Sequence, residues 1–104
     1  MELLLVLICA HFIGDIALQT QWLADNKGKD RFVMFLHVAV YMSVLVLAAI
    51  FYGEPLNTWV ILALFVTHFL IDEAKARHKS IKMWEDQLMH LVTICITYLF
   101  FSEL

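Results

Sequence analysis

The chain has 104 residues, is 62% hydrophobic and carries a formal net charge of −3; its mean hydropathy is +0.80 and its isoelectric point is near 5.9. A soluble domain is usually about 45–50% apolar, and one this small needs a polar surface, so the composition points to residence in a lipid bilayer. The acidic balance argues against a nucleic-acid binder, which would be basic.

The first apolar segment, residues 3–23, opens on LLLVLIC and is interrupted by His11, Gly14, Asp15 and two glutamines. A signal peptide would carry basic residues ahead of such a run and a small-residue cleavage site behind it. Only Glu2 precedes this one, so a retained helix is expected. The second segment, residues 32–52, holds no acid, lysine or arginine. The third starts near residue 56, behind the turn-like GEP of residues 53–55, and continues past residue 71. The fourth covers residues 83–101. These runs are long and do not alternate as strands would. In lipid every backbone group has to be paired internally, which helices achieve. The expected fold is all-α: a single domain over residues 1–104 forming an integral membrane four-helix bundle.

The connections DNKGKDR (25–31), GEPLN (53–57) and KARHKSIK (75–82) are short and polar. All seven basic residues lie in the first and third: Lys27, Lys29, Arg31, Lys75, Arg77, Lys79 and Lys82. The positive-inside rule then places those two connections in the cytoplasm and both termini outside. Trp22, Trp59 and Trp84 fall near segment ends, as interfacial tryptophans do. Cys9 and Cys95 stand inside apolar runs, where buried small hydrophobes are expected, and no zinc-type cysteine spacing exists.

Polar residues recur inside the apolar runs. HFIGD at residues 11–15 and HFLID at residues 68–72 agree at three of five positions. Residues four apart share a helix face, so His11 pairs with Asp15, with Gln19 extending the face, and His68 pairs with Asp72, with Lys75 one turn on. His37 pairs with Tyr41, and Asp86 with His90. Counted from the cytoplasmic ends at ~1.5 Å per residue, these groups overlap in one layer. The recurrence suggests two duplicated hairpins related by an axis along the membrane normal.

Ionisable groups at depth are costly and mark function by default, whereas lone intramembrane histidines often only bond a neighbouring helix. Four histidines and three aspartates in one layer need protons or cations. A divalent metal fits: imidazole and carboxylate donors without thiolates suit zinc, iron or manganese, and helix bundles build dinuclear sites from such residues. The expected ligands are His11, Asp15, His37, His68, Asp72, Asp86 and His90, with Asp15 and Asp72 as bridges. Tyr41, Gln19, Gln87 and Lys75 would orient ligands or meet substrate. An open metal position suits hydrolysis of a phosphate or ester at the cytoplasmic face, with an anionic lipid or phosphate as substrate. A metal or proton transporter, or a non-enzymatic assembly protein using the cluster for packing, are the alternatives. A homo-oligomer completing the site between chains also stays open.

The ordered set HFIGDIALQTQWLA (11–24), His37 with Tyr41, THFLIDEAK (67–75) and DQLMH (86–90) resembles a domain-of-unknown-function family of small bacterial and phage integral membrane proteins. The resemblance covers nearly the whole chain. It implies a four-helix fold in the bacterial cytoplasmic membrane. It also implies that His11, Asp15, Gln19, His37, His68, Asp72, Lys75, Asp86, Gln87 and His90 belong to the family's pattern. It implies no activity.

Overall fold

Capping residues set the ends of the helices. In a computed structural model that describes residues 2–77 and 81–101, the order is α1 (Glu2–Phe12), a π-helical segment (Ile13–Ala17), α2 (Gln21–Asn26), α3 (Arg31–Tyr52), α4 (Thr58–Arg77) and α5 (Met83–Phe101). The all-α class is as expected, and no strand occurs among the described residues. Lys79, read as a cytoplasmic charge, lies outside them.

Asp30 caps α3 by accepting from the Phe32 backbone N–H at 2.8 Å, as N-cap aspartates do. Gly53 ends it in the left-handed region at φ 100°, with its own N–H on the Ala49 carbonyl at 3.1 Å and that of Glu54 on the same carbonyl at 3.0 Å. A side chain at Gly53 would strain that turn. Asn57 accepts from the Trp59 N–H at 2.7 Å at the start of α4. Glu85 reaches back to the Lys82 N–H at 3.0 Å at the start of α5.

The first segment departs from expectation. Instead of one helix over residues 3–23, α1 widens into a π turn, marked by the Leu18 N–H on the Ile13 carbonyl at 2.9 Å, and the helix then breaks. Thr20 takes an extended backbone and caps the separate α2, accepting from the Leu23 N–H at 3.2 Å. Gly14 sits in the π turn where a Cβ would stand 3.2 Å from Tyr41 Cδ2 and 3.4 Å from the Tyr41 Cα. The missing side chain lets the π turn press onto α3. The extra residue in the turn also shifts the helical phase beyond it, so Asp15 no longer repeats the position that Asp72 has relative to His68.

α1, α3, α4 and α5 close a ring in which each packs on the next, and α2 lies on α3. α3 buries a stripe at helical spacing: Val33, Met34, His37, Val38, Tyr41, Met42, Leu45 and Ala49. Two interiors result. Leu7, Val38, Met42, Leu45, Val60, Leu64 and Ile94 form an apolar core. Toward the opposite helix ends the buried side chains are His11, Asp15, His37, His68, Asp72, Asp86 and His90. The outside is apolar: Phe51 is 87% exposed, Phe100 70% and Phe32 66%. Cys9 belongs to that outer surface and Cys95 is half-buried, so neither is the fully buried hydrophobe expected. Among the described residues one helix, Arg31–Tyr52, is by length and composition long and apolar enough to cross a membrane.

Candidate metal centre

Four elements deliver one buried layer of imidazoles and carboxylates. Asp15 comes from the π turn, His37 from α3, His68 and Asp72 from α4, and Asp86 and His90 from α5. All belong to one chain, so no second copy is needed to assemble them.

Four atoms close on a single point. His37 Nε2 lies 2.9 Å from Asp72 Oδ2 and 3.2 Å from Asp15 Oδ1. His68 Nε2 lies 3.2 Å from Asp72 Oδ2, 3.5 Å from Asp15 Oδ1 and 3.4 Å from His37 Nε2. A tetrahedral ion with ~2.0–2.1 Å bonds to nitrogen and oxygen separates its ligands by about 3.3–3.4 Å. The observed spacings bracket that edge. A second group joins Asp15, Asp86 and His90, each offering an atom within 4.8 Å of the others. His90 Nε2 stands 3.3 Å from Asp86 Oδ1 and 3.1 Å from Asp72 Oδ1. Asp15 therefore belongs to both groups, and Asp72 reaches both with different oxygens.

Two carboxylate oxygens in these groups are stranded. Asp72 Oδ2 and Asp86 Oδ1 are buried and accept no hydrogen bond, although imidazole nitrogens stand 2.9 and 3.3 Å away. Distance alone does not make a hydrogen bond; the N–H has to point at the acceptor. A buried acceptor left unmet costs about 1–3 kcal/mol, more when charged. A cation at the centre of each group would satisfy both oxygens.

A hydrogen-bonded chain stands behind the layer. The Gln87 amide N–H donates to Asp15 Oδ2 at 3.1 Å and to Asp86 Oδ2 at 3.2 Å. That fixes the orientation of the amide, so its carbonyl faces His11 Nε2 at 2.8 Å and has to accept. The His11 proton therefore sits on Nε2, and Nδ1 accepts the Tyr41 hydroxyl at 2.8 Å. Both nitrogens of His11 are taken. His11 falls outside the two ligand groups, and its place is to hold Gln87 and, through it, Asp15 and Asp86. His68 is oriented by stacking, on Tyr41 at 3.9 Å and on His90 at 4.2 Å between ring centres.

His11→Ala leaves the Tyr41 hydroxyl and the Gln87 carbonyl without their partner. Loss of such an orienting contact typically weakens metal binding by about 10–100-fold. Titration with a competing chelator is expected to show that drop with the number of bound ions unchanged. Unaltered affinity would deny His11 this role.

The remaining expectations divide. Tyr41 and Gln87 are both hydrogen-bonded into this network. His37 faces Asp15 and Asp72 while Tyr41 donates to His11, and both rings also lie against His68. Lys75 reaches across to α5, with Nζ 3.4 Å from Asp86 Oδ2. Gln19 is not in the layer; it holds Lys27 Nζ at 2.6 Å. Lys27 is the site residue that sequence reasoning missed: its Nζ lies 3.8 Å from Asp72 Oδ2. It sits in a basic connection where topology accounts for every charge, and it arrives at the site only because the chain breaks at residues 18–20.

Residues 3–104 match the model of the family described as "Protein of unknown function (DUF3307)". No curated protein and no solved structure matches the chain.

Proposed function

Because the chain belongs to the DUF3307 family, whose function is unknown, we propose one from the site itself: a multi-pass membrane protein that hydrolyses a phosphate or ester with a divalent metal. The carrying observation is the convergence of His37, His68, Asp15 and Asp72 at tetrahedral spacing with a stranded carboxylate oxygen among them. Imidazole and carboxylate donors favour zinc, iron or manganese. The first group offers four ligands, as closed sites do. The second, Asp15, Asp86 and His90, has Asp72 Oδ1 beside His90 and would hold a second ion. A bound divalent ion supplies polarisation of the scissile group and activation of water near neutral pH. The chain's own part is to fix the ligands through Gln87 and His11 and to keep one end of the layer dry with the core of Leu45, Leu64 and Ile94. That apolar core favours a one-sided site over a pore.

The membrane reading takes residues 1–104 as one integral four-helix domain. An apolar exterior around a polar interior supports it, as does a long axis of 37 Å beside a hydrocarbon thickness of about 30 Å. Trp22, Trp59 and Trp84 are exposed near helix ends. Lys27 and Lys75 beside the layer support a reading with it on the cytoplasmic side of a bacterial inner membrane and both termini outside.

The test is an aryl phosphate and an aryl ester offered to the protein in sealed vesicles with zinc or manganese. Turnover that chelation removes and metal restores is expected, without flux of metal or protons. Metal-dependent flux without turnover would replace the hydrolase by a transporter. A chelated protein with unchanged fold and no turnover under any metal would leave the cluster a packing device.

A further inference from the structure

We infer that the substrate enters by a phosphoryl group seated between Lys27 and Lys75, in the cavity that ends on Asp72. The inference rests on the metal reading and names the chemical group that the site receives.

A cavity of about 230 Å³ opens beside the layer, and Lys27, Lys75 and Asp72 all line it. Its other walls are the small Ala24, Gly28 and Ala76 and the larger Met34; a Cβ on Gly28 would stand 3.3 Å from the Ala76 Cβ. Whole-ligand pockets run to about 300–1,000 Å³, so this one suits a head group whose remainder stays outside. Asp72 is thus shared between the metal groups and the cavity wall, and anything seated there adjoins the ligand layer.

The two lysines are poorly matched to the carboxylates they face. Charge-assisted N–H···O contacts close to about 2.7–2.9 Å, whereas Lys75 stops 3.4 Å from Asp86 Oδ2 and Lys27 3.8 Å from Asp72 Oδ2. Each ammonium has three donors, and among the described residues the one short contact they make is that of Lys27 with Gln19. Charge points the same way. Three aspartates outweigh two lysines by one charge; one divalent ion turns the balance positive, and a second makes the excess larger. A metal-loaded site with two ammonium groups at its mouth needs an anion. A phosphoryl group carries enough charge and enough oxygens to meet both lysines and the metal layer together.

The experiment uses the full chain in detergent, loaded with manganese, and inorganic phosphate as probe. Paramagnetic broadening of the phosphate ³¹P signal reads binding next to the ion, and manganese content is measured on the same samples. Saturable broadening is expected in the unmodified protein. Lys27→Met and Lys75→Met should each weaken phosphate binding by about tenfold, the loss of one charge-assisted contact, with manganese content unchanged. Undiminished phosphate binding in both variants, or no phosphate binding while manganese is bound, overturns the inference and leaves the metal reading standing. Absence of bound manganese, zinc or iron overturns both. Repeating the titration in phosphatidylcholine vesicles with and without phosphatidic acid identifies the source. Displacement of phosphate by the lipid supports a lipid head group, and no displacement supports a soluble phosphate compound.

Discussion

Asp72→Asn is expected to lower metal affinity by about a hundred- to thousand-fold. No other described aspartate of the layer faces three imidazoles: one oxygen faces His37 at 2.9 Å and His68 at 3.2 Å, and the other faces His90 at 3.1 Å. Asparagine keeps the shape and removes the charge. Structural zinc sites bind with about 10–16 kcal/mol apparent free energy. A quarter share for one of four ligands is roughly 2.5–4 kcal/mol, which corresponds to that range of affinity. The clean readout is the stabilisation that metal confers. Saturating metal at 1,000 times its dissociation constant adds about 4 kcal/mol to a folded protein that alone binds it. The unmodified chain should show a shift of that order in its unfolding midpoint on adding zinc, and Asp72→Asn should lose most of it. A cluster that only packs helices would give no metal-dependent shift in either protein.

Val40→Arg is expected to block stable insertion into a bilayer. Val40 lies near the middle of α3, Arg31–Tyr52, on its outer face, and is 40% exposed. In water an arginine there would be almost neutral, since exposed substitutions usually fall within about 0.5 kcal/mol. At the centre of a membrane helix the same change costs about 2.5–3.5 kcal/mol. Alkaline extraction of membranes separates the cases. Unmodified protein and a Val40→Leu control should stay in the pellet, and Val40→Arg should leave it in large part. Equal behaviour of all three would count against the bilayer as the solvent of that face.

Much of the fold was legible because its signals are local. Asp30 and Gly53 mark the ends of α3, and residues 32–52 between them hold no acid, lysine or arginine, so its bounds are read to within a residue. The convergence of His37, His68, Asp72, Asp86 and His90 comes from helical spacing and comparable depth, and needs no knowledge of packing. What failed was the assumption of a uniform period. HFIGD and HFLID look equivalent, yet His68 and Asp72 lie 3.2 Å apart in a regular helix, while across the π turn His11 and Asp15 are linked through Gln87. That turn accompanies the close approach of Gly14 to Tyr41, a tertiary contact that spacing along one helix cannot express. The break at residues 18–20 has no glycine or proline to announce it, and Thr20 is a weak signal alone. The same break delivers Lys27, so the lysine at the cavity stayed hidden with it.

The whole functional reading stands on the ligand set, which X-ray absorption at the zinc edge of the zinc-loaded protein reads without an activity assay. The expected spectrum has a first shell of nitrogen and oxygen at about 2.0–2.1 Å and imidazole scattering from His37 and His68. A shell of water alone, a thiolate sulfur at about 2.3 Å, or no retained zinc would contradict it.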